Sequence, residues 1–300
     1  MLPSQLPHME TSSKKSFMCG ELNCTTMNTQ NPNGELAGSV ALVTGGGQRM
    51  GLAIVDELLK NGAFVSLIDI NEETGNKAIR ELEIKYKSSS SRLLFVKCDV
   101  TNKIEFEDSF KKTIEKFGKI NIVVNNAGIM TKYITSWELA IDLNYKAVVH
   151  GTILGLKYIE NKVDRNSAVI NIASIVGLSN TVLPIYQSTK RAVIDFTKCI
   201  GCPFNMKAHG NNVRVMAICP GPTFDGFDNN IDEKNSLEHE IKELIINGEE
   251  TPNQNRVITI QSTDYVKTAF LHAMKNGQSG DVWITENKES ARLAHFYTQY

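Results

Sequence analysis

An excess of charge of either sign is what this 300-residue chain lacks most: 32 basic and 33 acidic residues leave a formal net charge of −1. That balance removes the electrostatic case for binding nucleic acid or an anionic membrane surface. Long apolar runs are also missing; none approaches the roughly 20 residues that span a bilayer. Cysteine is too sparse for a disulfide scaffold, with six residues at 19, 24, 98, 199, 202 and 219. Cys98 and Cys219 end apolar runs and are expected as buried free thiols. Cys199-x-x-Cys202 has the spacing of a redox or metal pair. It falls inside a helical pattern with no second cysteine or histidine pair at ligand spacing, so packing is the expectation and no metal site is expected.

What is present is enough apolar residue, 41%, for one large core. The first 35 residues are different: rich in Ser, Thr, Asn, Pro and Met, without periodicity, they cannot bury much surface. They have no apolar core of a secretory signal, and Glu10, Glu21 and the absence of arginine speak against a transit peptide. We read 1–35 as a disordered extension on a cytoplasmic protein, and 36–300 as the folded domain.

From there, apolar runs and helical patterns alternate. Strands are predicted near 40–44, 63–68, 93–97, 120–125, 168–172, 213–219 and 281–285. Helices are predicted near 51–61, 72–87, 103–117, 137–160, 186–208, 234–247 and 263–276. Alternation of this kind specifies a single α/β domain: a doubly wound (Rossmann), mostly parallel, seven-stranded sheet with helices on both faces. Right-handed crossovers put the first strand centrally and any ligand across the strands' carboxyl ends. Pro203 should kink or end the helix 186–208 where it stands.

The first strand, Ser39–Thr44, breaks into Gly45, Gly46 and Gly47, and a helical pattern follows Gly51. Strand, glycine turn and helix aim backbone N–H groups and the positive helix end at a pyrophosphate. The second strand ends in Asp69, near the spacing for a carboxylate that binds an adenosine ribose. Asp69 could instead cap the next helix, but Asn71, directly before Glu72, is the better cap.

Further on, Tyr186 and Lys190 stand four apart in YQSTK, with Ser174 twelve residues upstream. On a helix such a pair shares a face. A phenol titrates near 10 in water, too high for a base at neutral pH, and a nearby cation lowers that value. Ser174 adds a hydroxyl to hold a substrate oxygen. Together they make a device that takes a proton from an alcohol or returns one to a ketone. Taken singly, Tyr186 could be an interfacial aromatic, Ser174 a strand-end turn residue and Asn144 a cap or core contact.

These landmarks, in this order, resemble the short-chain dehydrogenase/reductase family from about Leu36 onward: TGGGQRMG (44–51), CDV (98–100), NNAG (125–128), Asn144 in DLN, Ser174 in IASIVG, Tyr186, Lys190 and CPG (219–221) with Thr223. Within it, NYKAVVHGTILGLKYI, INIASIVGL and VRVMAICPG look like the 15-hydroxyprostaglandin dehydrogenase branch and its insect relatives. The resemblance implies Ser174, Tyr186, Lys190 and Asn144 as catalytic residues, Asn144 holding a water that relays protons from the lysine. It implies NAD held by Gly45, Gly47, Gln48, Arg49, Met50, Gly51, Asp69, Asp99, Val100, Asn126, Ala127, Tyr186, Lys190, Pro220 and Thr223. It also implies a homodimer built on the helices near 145–160 and 186–208. Arg49 departs from the pattern, standing where the family has a glycine, and FDGFDNN after Thr223 lacks a further threonine common there.

The segment 223–250 is the expected substrate lid. Phe224, Phe227, Ile231, Leu237, Ile241, Leu244, Ile245 and Ile246 give it an apolar face that suits a lipid-like alcohol, or that simply packs onto the body. The expectation is an NAD-dependent oxidoreductase for a secondary alcohol or its ketone. The rivals are an NADP-dependent carbonyl reductase and a catalytically weak binding relic of the same fold.

Overall fold

Strands that are apolar on both faces need cover on both, and the sheet is built accordingly. In the computed structural model, which describes residues 34–87, 91–130, 136–159, 166–179, 183–208, 210, 212–223 and 259–296, seven strands run in parallel. They are β1 (Val40–Thr44), β2 (Phe64–Asp69), β3 (Leu93–Lys97), β4 (Ile122–Asn125), β5 (Ala168–Ile172), β6 (Arg214–Pro220) and β7 (Val282–Thr285). An eighth, β8 (Arg292–Leu293), pairs antiparallel with β7. The order is β3-β2-β1-β4-β5-β6-β7-β8. The sequence predicts seven; the eighth is two exposed residues long, too short to carry an alternating pattern.

The helices are α1 (Arg49–Lys60), α2 (Glu72–Tyr86), α3 (Lys103–Phe117), α4 (Trp137–Ile141), α5 (Ala147–Tyr158), α6 (Pro184–Ile200), α7 (Pro203–Ala208) and α8 (Thr263–Asn276). On one face of the sheet, Ile54, Leu58, Ala78, Leu82, Val266 and Phe270 of α1, α2 and α8 form one core with β1 and its neighbours. On the other, Phe106, Phe110 and Leu154 of α3 and α5 form a second core, and Val193 and Ile194 of α6 a third. Each fully buried side chain of this size contributes about 1.5–3 kcal/mol of transfer free energy.

Caps set the helix starts. Asn71 accepts from the Thr74 amide at 3.0 Å at the head of α2, and Asn102 does the same for Ile104 and Glu105 at the head of α3. Gly118, in the left-handed region, ends α3.

Two helix expectations are corrected. The span 137–160 is not one α-helix: α4 passes into a π turn, Asp142–Lys146, before α5 begins. The span 186–208 is split into α6 and α7 by Gly201, Cys202 and the Pro203 that starts α7. Cys199 is exposed at the end of α6 and not packed, while Cys98 and Cys219 are buried thiols. Leu36 is buried, its amide bonded to the Asn61 carbonyl at the end of α1, and Lys275 pairs with Glu35 at 2.7 Å. Residues 1–33, the predicted helix 234–247 and the lid residues Phe224–Ile246 lie outside the described residues.

Candidate active site

Every site residue named from the sequence that follows a strand lies at the carboxyl edge of the sheet. Reading across it, β2 ends in Asp69, β1 in the glycine turn, β4 in Asn126 and Ala127, β5 in Ser174 and β6 in Pro220 and Thr223.

The glycine turn is held from three sides. Asp69 accepts from the Gly47 amide at 3.0 Å through one carboxylate oxygen and from the Asn71 amide at 3.0 Å through the other. Its carboxylate is therefore a brace of the turn, not an uncommitted group, and retains lone pairs for a further donor. Asn126 donates to the carbonyls of Thr44 (2.9 Å) and Gly45 (3.1 Å). Thr44 Oγ1 accepts from the amides of both Asn126 and Ala127 at 3.0 Å. Thr44 is thus a hub joining β1 to β4 that sequence reading passed over; its place at the strand end, directly before the glycines, was the available signal. Gly51 admits no side chain, because a Cβ there would run into the Gly45 carbonyl.

At the head of α1, Gln48 occupies the N-cap without a capping side-chain bond, and the first turn carries no acidic residue. The first turn of a helix attracts an anion, and no acidic side chain competes with one here, which fits a dinucleotide pyrophosphate. Arg49, exposed, has a backbone φ of 49°, the left-handed region that favours glycine. The glycine normal to this position has a conformational reason as well as a steric one. Met50 packs its side chain against the core. Asp99 accepts from the amide (2.9 Å) and hydroxyl (2.7 Å) of Thr101, so it too braces its own turn; Val100 beside it is buried.

At the other end of the edge, Ser174 accepts from the Val176 amide at 3.4 Å, at the start of a 3-10 turn, Ile175–Leu178. Its hydroxyl meets the Tyr186 phenol. Lys190, 4% exposed, donates to the Ile172 carbonyl at 2.9 Å and lies 5.7 Å from the centre of the Tyr186 ring. One turn of α6 separates the pair, as their spacing predicts. Burial raises the Tyr186 phenol above its ordinary value, while the Ser174 hydrogen bond works against that rise. Burial pulls the Lys190 ammonium down to about 8. The expected lowering of Tyr186 by Lys190 is not the dominant effect here, since desolvation pushes both groups toward neutrality. The Cys219 thiol lies close enough to influence both and is itself pushed up to about 12 by burial.

Asn144, fully buried in the π turn, clamps the Ile129 backbone: its Oδ1 accepts from the amide and its Nδ2 donates to the carbonyl, both at 2.8 Å. Nδ2 also reaches Thr189 Oγ1 at 3.3 Å. A Cβ on Gly128 would stand 3.0 Å from Asn144 Oδ1 and 3.4 Å from Lys190 Nζ. Gly128 thus keeps open a small space faced by both groups, a role that the NNAG motif contained but that spacing did not reveal.

Beyond Pro220, Thr223 donates to the Gly221 carbonyl at 2.9 Å and accepts from Gln261 Nε2 at 3.3 Å. Among the described residues no group of histidine, cysteine, aspartate and glutamate could hold a metal ion, and no helix is long and apolar enough to cross a membrane.

Comparison with known proteins agrees with this arrangement. The family described as short chain dehydrogenase matches residues 39–236. An NAD(+) 15-hydroxyprostaglandin dehydrogenase of Rattus norvegicus is 38% identical over 186 residues, 61% of this chain and 68% of that one. An NADP-dependent (R)-specific alcohol dehydrogenase of Lentilactobacillus kefiri is 32% identical over 193 residues, 62% of this chain and 73% of that one. A solved glucose/ribitol dehydrogenase from Brucella melitensis superposes with a TM-score of 0.64 at 18% identity, over 84% of this chain and 95% of that one, a likeness of fold.

Proposed function

We propose that this chain, which belongs to the short-chain dehydrogenase family, is an NAD-dependent oxidoreductase that interconverts a lipid-like secondary alcohol and its ketone. The observation that carries the reading is the meeting of Ser174, Tyr186 and Lys190 at one end of the sheet edge, with the Asp69-braced glycine turn at the other.

Asp69 favours NAD. Its two bonds to the turn fix a negative charge where the ribose would lie, and a 2′-phosphate there would meet repulsion. Gly45, Gly47, Gln48, Arg49, Met50 and Gly51 would hold the pyrophosphate, Asp99 and Val100 the adenine, and Asn126, Ala127, Pro220 and Thr223 the remainder. When bound, NAD supplies the hydride acceptor.

The chain's own residues do the rest. Ser174 holds the reacting oxygen and steadies its developing charge. Tyr186 takes the hydroxyl proton at its phenol oxygen, or gives one back in the reverse direction. Lys190 would hold the nicotinamide ribose, and the space at Gly128 between its ammonium and Asn144 suits a water that passes the proton onward. The lipid-like substrate is favoured by the relatives named for 15-hydroxyprostaglandin. A cytoplasmic homodimer, built on α5 and α6, completes the proposal.

The test is a matrix of oxidised NAD and NADP against hydroxy-lipids, terpenoid alcohols and simple secondary alcohols. Turnover with NAD and a lipid alcohol is expected. Equal or better kinetics with NADP refute the cofactor assignment, and no turnover on the whole panel favours a binding relic.

A further inference from the structure

We propose that Gln261 is a positioning residue for the nicotinamide end of the cofactor, acting through Thr223. The inference rests on the NAD-dependent reading above and adds a residue that lies outside every motif of the sequence. Thr223 belongs to the hydride end of the cleft by its place in the fold. It follows β6 by three residues, and β6 pairs with β5, the strand that leads into Ser174 and whose Ile172 carbonyl accepts from Lys190.

Gln261 is 1% exposed and holds three partners at that place. Its backbone amide donates to the Pro222 carbonyl at 2.9 Å, and its Nε2 donates to the Thr285 carbonyl at 2.9 Å and to Thr223 Oγ1 at 3.3 Å. Thr285 in turn accepts from the Gly221 amide at 2.7 Å, so Gln261 and β7 together grip both Gly221 and Thr223. A parallel bridge joins Thr223 to Gln261 directly. With one lone pair filled by Gln261 and its proton directed at the Gly221 carbonyl, the Thr223 hydroxyl has one fixed orientation, its second lone pair left to accept.

The cost of this arrangement is visible in the same side chain. Gln261 Oε1 is buried and, among the described residues, has no hydrogen-bond partner. A buried acceptor left unpaired is unfavourable. A methionine of the same length would fill the volume without that cost. Packing alone therefore does not explain an amide here; what the amide adds is the donor to Thr223 and Thr285.

The test compares NAD with ADP-ribose, which shares every part of the cofactor except nicotinamide. In Gln261→Met, NAD affinity should fall by roughly threefold to tenfold, the usual worth of one neutral hydrogen bond. ADP-ribose affinity should stay within about twofold, and the melting temperature should hold or rise. Thr223→Val should lose the same factor for NAD, and the double variant no more than either, because the two act as one unit. Should Gln261→Met fail to fold, Thr223→Val against ADP-ribose carries the comparison alone. Unchanged NAD binding in the variants overturns the proposal, as does an equal loss for both ligands, which marks a structural role only. If the wild-type protein binds ADP-ribose and NAD equally weakly, the cofactor reading itself falls, and this inference falls with it.

Discussion

Arg49→Gly pulls two observables in opposite directions, and both can be sized from the structure. Arg49 begins α1 with a φ of 49°. A side chain in that region costs about 1–2 kcal/mol, because Cβ crowds the following carbonyl. Glycine removes that strain but brings greater freedom in the unfolded chain, worth roughly 0.5–1 kcal/mol against it. A cation in the first turn also opposes the helix dipole by about 0.3–1 kcal/mol, so its removal helps. Exposed contacts of the guanidinium offset less than about 1 kcal/mol of this. The unliganded variant should therefore be more stable by about 1 kcal/mol, or about 2–4 °C in a domain of this size.

Cofactor affinity should move the other way. An exposed arginine at an anion-binding turn can swing toward a phosphate, and loss of such a charge-assisted bond costs about 1.5–3 kcal/mol, tenfold or more in Kd. The loss should shrink at high salt as screening weakens the pair. Urea unfolding of the unliganded protein and NAD titration at two salt concentrations measure both effects. A lower urea midpoint refutes the strain argument. Tighter NAD binding by the glycine variant refutes the pairing and shows that Arg49 obstructs the cleft.

Three more expectations follow from the same residues. Tyr186→Phe keeps the ring and its packing, so NAD binding should persist while turnover falls on the order of a hundredfold to ten-thousandfold; near-normal turnover in the purified variant sinks the mechanism. Asp69→Ala should erode the preference for NAD over NADP in kcat/KM, and a preference left intact assigns discrimination elsewhere. Lys190 has a folded value of about 8, below the unfolded one, so burying its charge costs stability below pH 8 and the cost is relieved as pH rises toward about 10.5. The stability of wild type relative to Lys190→Met should accordingly climb by roughly 3 kcal/mol across that window, as read by urea midpoints, and a flat difference contradicts the shift.

The regular parts of the fold were legible because their signals are local. β1, β3, β5, α3 and α8 match their predicted spans, since doubly covered strands read as unbroken apolar runs and Asn71 and Asn102 announce helix starts in their own type. The Ser174, Tyr186 and Lys190 constellation was legible for the same reason, each at a strand end or helical spacing. What stayed hidden depends on contacts between distant segments. The π turn at Asp142–Lys146 leaves helical periodicity nearly untouched, yet it places Asn144 against Ile129. Thr44 earns its role from Asn126 and Ala127, over eighty positions away. Gln261 looks like any polar residue before a helix until Thr223 and Thr285 are placed beside it. Arg49 was visible as a departure, but only its φ shows what the missing glycine had supplied.

Burial also changes what Tyr186 and Lys190 are to each other. From spacing alone the lysine is a cation that pulls the phenol toward ionisation. In the folded protein, desolvation drives the phenol up and the ammonium down, so each is pressed toward its neutral form. A neutral phenol is an acid: it can already give a proton to a ketone. To take one from an alcohol it must first lose its own. Ser174's hydrogen bond favours that loss, and the space at Gly128, faced by Asn144 and Lys190, offers the proton a way out. Under the proposed NAD reading, the positive charge of the oxidised nicotinamide ring would add a further push in the same direction. On that reading, alcohol oxidation would draw on that charge, whereas ketone reduction would start from the neutral phenol that burial favours.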